Sequence, residues 1–327
     1  MKMMKRWFYI LTSMALLVAC NKDDDNNTSQ STTGNDKRVS LEIAANIGIQ
    51  AEGTTRAAET HWDEGDQIGV YVTKRNTTTI FEDVEHTVGK NLLYTFNDGT
   101  NYETNGSTYR LFAPSKKIYL SSDPVDIFGY YPYNASASLD PTAIPINVSD
   151  QSSQERIDFM RGKRGNVSNS NVSIELQFKH KLVKLVFNLK QGEGLLPDEL
   201  NDATYLGMKI DKQPYEATYN AYTDVLSVTL VHNEIIPVRA TTTTGFVRTF
   251  EAIVLPNTSS GETTVAGNPS DDRTVTINFY RRSDDAIVNT FKIPSSTYFY
   301  PGYKYIYNVT VNATSIEVDP QKYTEQW

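Results

Sequence analysis

The chain has 327 residues, with 39 acidic side chains against 31 basic ones and a formal net charge of −8. The basic residues are scattered except for Arg161-Gly162-Lys163-Arg164, and because a phosphate backbone needs a clustered positive footprint, nucleic acid is excluded as a partner. The single cysteine excludes an intrachain disulfide, and at about 100–200 residues per domain the length predicts two domains.

Residues 1–19 open with Met-Lys-Met-Met-Lys-Arg and continue as an apolar run from Trp7 to Ala19. That run has positive charge on one side only and falls short of the roughly 20 apolar residues that span a bilayer, so it reads as a cleavable signal peptide. It ends in Leu17-Val18-Ala19-Cys20, a lipobox, which makes Cys20 the lipidation site and the first residue of the mature chain. Residues 20–38 follow as an acidic and polar tether, Asn21-Lys22-Asp23-Asp24-Asp25 and then Asn, Ser, Thr, Gln and Gly, with nothing apolar to order it. Acyl chains contribute about 0.8 kcal/mol per buried methylene, so a multiply acylated terminus holds a protein at a membrane without a spanning helix.

From Val39 the pattern is β almost throughout. Val39, Leu41, Ile43, Ala45, Ile47 and Ile49 occupy alternate positions, which at period two places all of them on one face of a first strand. A small-residue loop, Gln50 to Ala58, carries Arg56 and leads to a second strand around Ile68, Val70 and Val72. Further strands are expected at Thr108 to Ala113, Val125 to Tyr131, Ile174 to Phe178, Val183 to Leu189, Leu226 to Val231, Phe250 to Leu255, Thr274 to Tyr280, Ile287 to Ile293 and Tyr303 to Val311. Turn signals such as Asn97-Asp98-Gly99, Asn105-Gly106 and Ser283-Asp284-Asp285 separate them. Only Leu195 to Tyr205 and Glu155 to Phe159 have any helical character, so the fold class is all-β, with sandwich domains over 39–165 and 166–327 divided at the polar stretch 161–171. The inward face moves from even positions (Ile174, Leu176, Phe178) to odd ones (Val183, Leu185, Phe187, Leu189), which predicts a bend near His180.

No catalytic residue, metal site or cofactor is called for. His61, His86, His180 and His232 stand far apart, and neither a His-Glu-x-x-His pair, a Gly-x-Ser-x-Gly elbow nor a phosphate-cradling loop is present. Asp271-Asp272 and Asp284-Asp285 read as turn residues, and His180 as a satisfied strand residue. Trp62 in Trp62-Asp63-Glu64-Gly65-Asp66 reads as packing over a turn in preference to a sugar-stacking corner.

Taken together, the lipobox, the alternating first strand, Thr55-Arg56-Ala57, Trp62-x-x-Gly65-Asp66-x-Ile68-Gly69-Val70-Tyr71, Phe178-x-His180-x-Leu182-x-Lys184, and the closing Pro301-Gly302-Tyr303-x-Tyr305-x-Tyr307-x-Val309 with a terminal Trp327 resemble the fimbrillin family. These are subunits and related surface lipoproteins of Bacteroides-type pili. The resemblance implies two tandem transthyretin-like (Greek-key) β-sandwich domains and a non-enzymatic role in cell adhesion. It also implies a route: export to the outer membrane as a palmitate-bearing lipoprotein, Arg-specific cleavage at Arg56, then donor-strand exchange with other pilus subunits, self or heterologous. The acidic cluster after Cys20 is similar to the surface-export signal of such lipoproteins.

The residues give that route a physical basis. Six inward apolar side chains contribute on the order of 10 kcal/mol as an upper estimate, comparable with a whole domain's stability. Losing this strand would open a groove, whereas cutting at the competing Lys37-Arg38 site would leave the strand in place. At the other end, Tyr303 to Val311 is a core strand or a donor, and Ile316, Val318 and Trp327 mark a candidate donor segment beyond it. The second function class is a monomeric surface lipoprotein that binds a glycan or host protein through its 20 tyrosines and three tryptophans.

Overall fold

The computed structural model describes residues 38–48, 61–104, 107–136, 140–196, 198–201, 206–260, 262–266, 275–319 and 323–327. The expectations for Cys20, Ile49, Arg56 and Asp271-Asp272 lie outside these residues. The described residues belong to one compact unit, Lys37–Trp327, which holds two hydrophobic cores. Apart from a 3-10 turn at Gln154–Arg156, the regular structure described is all β.

The first half contributes β1 (Val39–Ser40), β2 (Glu42–Ile47), β3 (Gln67–Lys74), β4 (Leu92–Thr104), β5 (Ser107–Pro114), β6 (Tyr119–Leu120), β7 (Val125–Tyr131), β8 (Ile144–Asn147), β9 (Met160–Val167) and β10 (Ser173–His180). Seven of these close into a barrel in the order β10-β2-β5-β4-β3-β7-β9, and closure removes every free edge from that layer. Its core is aromatic and branched, built from Ile43, Val70, Tyr94, Phe96, Ile127 and Phe178 among others. The Asn97-Asp98-Gly99 signal does not end a strand. It falls within β4, where the β4–β5 register shifts between Phe96 and Asn101, so the extra residues are absorbed as an irregularity.

The stretch 161–171, expected to divide the domains, carries β9 and the turn into β10, both of them barrel strands. The sheets change later, at Lys181-Leu182, where the expected bend near His180 is found. Up to that point Ile174, Leu176, Phe178 and His180 face inward, and beyond it the chain is buried from Val183 on both faces.

The second half contains β11 (Val183–Gln191), β12 (Leu206–Pro214), β13 (Glu216–Asn220), β14 (Val225–Val228), β15 (His232–Ile235), β16 (Val238–Ala240), β17 (Arg248–Val254), β18 (Thr264–Ala266), β19 (Val275–Arg281), β20 (Ile287–Ile293), β21 (Tyr303–Val311), β22 (Ile316–Val318) and β23 (Tyr323–Gln326). One sheet runs β16-β17-β11-β21-β22, with β23 also on β21. Two four-stranded sheets, β15-β12-β19-β20 and β18-β14-β13-β8, share its core, where Phe187, Ile210, Tyr219, Ile277, Tyr305 and Tyr307 meet. Strand β8 comes from the first half yet pairs with β13, so the chain crosses to the second core and returns before completing the barrel. Of the two helix candidates, 155–159 forms part of the 3-10 turn, and residues 198–201 of the other form a turn only.

Candidate functional site

The alternating face of the first strand is the inner wall of the barrel. Leu41, Ile43 and Ala45 are buried to 1%, 0% and 0% exposure, Ile47 is half-buried, and Val39 is exposed where β1 leaves the barrel to pair with β6. Strand β2 is an interior strand with a neighbour on each side. It pairs in parallel with β10, Ile43 beside Ile174 and Ala45 beside Leu176, and antiparallel with β5, Ile43 opposite Phe112. Backbone bonds close both ends: Leu41 N–H donates to Ile118 O at 2.9 Å, and Gly48 N–H to Phe178 O at 2.8 Å.

Trp62 fastens this strand from the side. Its indole is 3% exposed and meets Phe112, Tyr131 and Phe178 edge-on, with ring centroids 5.1, 5.3 and 5.2 Å apart. Its Nε1–H donates to Ala45 O at 3.1 Å, at the residue where the β2–β5 pairing ends. Packing over the turn is therefore its role, and no open ring face is left for a sugar. That its acceptor would be a carbonyl of the first strand was not readable from the sequence, because the two lie on separate segments.

The C-terminal segment lies along the outer side of β21. Ile316 pairs with Val311 and Val318 with Val309, and after residues 320–322 the last strand continues down β21 with Gln326 beside Tyr303. Ile316 and Val318 are half-buried. Trp327, 8% exposed, stacks on His180 with centroids 4.3 Å apart and planes 10° apart, lies under Lys184 Nζ at 5.5 Å, and donates its backbone N–H to Gly302 O at 2.8 Å. Gly302 turns the chain into β21 at φ 75, a left-handed conformation that favours glycine. Strand β21 itself is core: Tyr305, Tyr307, Val309 and Val311 are all buried.

The two segments end beside each other. Gly48, Lys181, Thr263, Gly302, Gln326 and Trp327 line a common cleft of 210 Å³. Beneath it, Asp224 accepts from Lys181 Nζ at 2.9 Å, Arg161 Nη1 at 3.1 Å, Tyr219 Oη at 2.7 Å and Thr263 Oγ1 at 2.8 Å. Arg161 comes from the barrel, Lys181 from the bend and Asp224 from the β13–β14 turn, so one carboxylate ties both halves together. Burial pushes the Asp224 carboxyl up, but Lys181, Tyr219 and Arg161 outweigh it and hold the group below the usual carboxylate range. Sequence reading missed this hub; Thr223-Asp224 signals a turn, which it is, but nothing local points to its distant cations.

Among the described residues His61, His86 and His180 each lie by a different carboxylate. His61 lies by Asp63 at 3.3 Å, His86 by Glu82 at 3.0 Å, His180 Nδ1 by Asp158 Oδ1 at 2.9 Å, and His232 is exposed. Asp284 accepts from Arg281 Nε at 3.1 Å within the β19–β20 turn. No group of three or more His, Cys, Asp or Glu that could hold a metal occurs among the described residues. A wider cleft of 1020 Å³ runs past Asp66, Gln151, Asp158, Lys184 and Glu251.

The architecture is that of an all-β protein with a closed barrel that includes β2 and a C-terminal segment lying as an added edge on the other sheet. The chain is a member of the fimbrillin-like family, whose model matches residues 55–327. It is 28% identical over 322 residues to a Bacteroides uniformis protein described as "Putative fimbrium subunit Fim1C", covering 97% of this chain and 93% of that one. Two crystal structures share the fold. One, described as a "putative cell adhesion protein" from Bacteroides uniformis, has TM-score 0.59 and 24% identity, covering 91% of this chain and 100% of its own. The other, from Bacteroides ovatus and described in the same words, has TM-score 0.57 and 19% identity, covering 89% and 98%.

Proposed function

We propose that this protein is a structural subunit of a surface filament, matured by loss of its first strand and joined to other subunits by donor-strand exchange. In this reading it is exported through residues 1–19, lipidated at Cys20 and held on the outer face of the outer membrane, then cut after Arg56. Its role is adhesive and structural, with no catalytic step. The barrel and the second set of sheets correspond to two tandem transthyretin-like domains, the barrel being a sandwich with its edges joined, and the division falling at the Lys181-Leu182 bend.

The observation that carries the reading is the place of β2. An interior strand with Ile43 and Ala45 fully buried, as is Leu41 just before it, removed after a cut at Arg56, leaves an apolar groove flanked by unpaired backbone groups of β5 and β10, which a foreign strand fills by β-augmentation. Until the cut, the tethered strand is present at high effective concentration and outcompetes any donor. Ile316, Val318 and Trp327, on an edge segment with a single neighbouring strand, make the C-terminal segment the candidate donor to another subunit. The alternative of a monomeric glycan-binding or host-binding lipoprotein gains nothing from Trp62 and Trp327, which are both buried, and would have to use exposed tyrosines such as Tyr298 and Tyr300.

Fractionation and N-terminal mapping test the route. Cys20→Ala is expected to abolish outer-membrane association and normal trimming, and filament-borne wild-type protein is expected to begin at Ala57. An alanine variant that still fractionates with outer membranes and is trimmed normally would contradict the lipoprotein step, and filament protein retaining Val39–Gln50 would contradict the strand loss.

A further inference from the structure

When β2 leaves, Trp62 stays. Its indole is buried among Phe112, Tyr131 and Phe178, and its N–H loses its acceptor among the described residues, the carbonyl of Ala45. A buried donor without an acceptor is unfavourable, so the indole selects a strand that returns a carbonyl to that point. The same position is sterically marked. Of the inward residues running from Leu41 through β2, Leu41 and Ile43 are large, Ala45 is small, and Ile47 is large again, and Ala45 is fully buried beside Leu176. A larger side chain there overpacks a filled core. The slot between β5 and β10 therefore has a readable key: inward residues running large, large, small, large at period two, with a carbonyl at the small one.

This chain's own C-terminal segment does not carry that key. After β21, one set of alternate positions reads Asn312, Thr314, Ile316, Val318, Pro320, Lys322, and the other Ala313, Ser315, Glu317, Asp319, Gln321, Tyr323. The first offers Ile316 and Val318 but then Pro320, which has no N–H to pair, and the charged Lys322, and the second, continued to residue 327, puts Glu317, Asp319 and Glu325 into an apolar groove, where an unpaired charge is costly. We infer that Trp62 sets the register of whatever strand occupies the β2 slot, and that the slot takes a strand of a different subunit bearing this key in preference to the tail of a second copy. The inference rests on the strand-loss reading above.

Peptide exchange tests it on the whole chain, carrying a site-specific protease sequence in place of residues 52–58 and cut there, which makes the result independent of Arg56. Labelled peptides of residues 39–50, the same peptide with Ala45→Leu, and residues 312–327 are offered in turn. The native peptide is expected to be retained, the Ala45→Leu peptide to bind at least about ten-fold more weakly, and the tail peptide to show no saturable binding. Trp62→Phe in the protein is expected to weaken the native peptide by about ten-fold and to couple to Ala45→Leu in a double-mutant cycle. If Trp62→Phe does not fold, the ranking of the three peptides on the wild-type chain decides alone. Equal binding of the 312–327 and 39–50 peptides, or of the native and Ala45→Leu peptides, overturns the key while leaving the groove standing. If no peptide exchanges in, not even residues 39–50, the strand-loss reading fails and the key with it.

Discussion

The first strand and the C-terminal segment are both terminal, both alternating, and end within one cleft, yet they are held in opposite ways. Strand β2 has a partner on each side, fully buried Ile43 and Ala45 with Leu41 buried just before them, and a tryptophan bonded to its backbone. Strands β22 and β23 have β21 as their one named partner, half-buried Ile316 and Val318, and one buried anchor, Trp327. An interior strand cannot fray without opening a barrel, whereas an edge strand can peel from its end. The difference makes loss of the first strand more costly than peeling of the tail, an asymmetry that fits the strand loss and exchange proposed above.

The sharpest way to break this comparison is to damage β2 itself. Ile43→Asp places an unpaired charge in a site with no exposure and is expected to lower the stability of the uncut protein by about 4 kcal/mol or more in chemical denaturation. Unchanged stability would mean that β2 does not hold the barrel together. Next is the joint beneath the two termini. Asp224→Asn leaves Arg161 and Lys181 buried without their counter-charge and is expected to cost about 3 kcal/mol.

The same carboxyl predicts a pH dependence. Because its pKa in the folded state lies below the usual carboxylate range, the unfolded chain binds its proton more readily. Its contribution to stability is thus fully present above the ordinary Asp pKa of about 4 and is lost as pH falls through the lower folded value. Wild-type protein should lose stability across that acid window and Asp224→Asn should lose less, as read by unfolding midpoints between neutral and acid pH. Equal slopes for the two proteins would remove Asp224 from the acid response.

A smaller effect is expected at the tail. Trp327→Ala removes the stack on His180 and the cation over its ring and should cost about 2 kcal/mol, with hydrogen exchange accelerating in β22 and β23 before the barrel. Protection lost equally in β2 would show that the two termini are not held independently.

Much of this fold was legible because strands leave either an alternation or a short apolar run in the sequence. Val125–Tyr131, Ile287–Ile293 and Tyr303–Val311 lie where their alternation or apolar run predicts. What escaped had a physical cause in each case. Strand β9 read as a polar linker because Arg161, Lys163 and Arg164 alternate with Gly162, a position crowded by Leu176 and Phe178, where an added Cβ would lie 3.3 Å from each. Strand β4 was hidden by Asn97-Asp98-Gly99, since a bulge and a turn use the same residues. The inward face of the first strand was plain, but its parallel pairing with β10, more than a hundred residues on, was not. The bond from Trp62 to Ala45 and the convergence on Asp224 were likewise invisible, because side-chain partners distant in sequence leave no periodic trace.

The most direct test of the central claim, that the first strand must be cut away before assembly, changes stability least. Arg56→Ala, in a run of small and polar residues, is expected to alter stability by no more than about 0.5 kcal/mol and to leave lipidation at Cys20 intact. Electron microscopy of surface material from strains carrying wild-type or Arg56→Ala protein is the measurement. The account predicts stable full-length precursor without filaments from the variant. Filaments of wild-type length from the variant would contradict it.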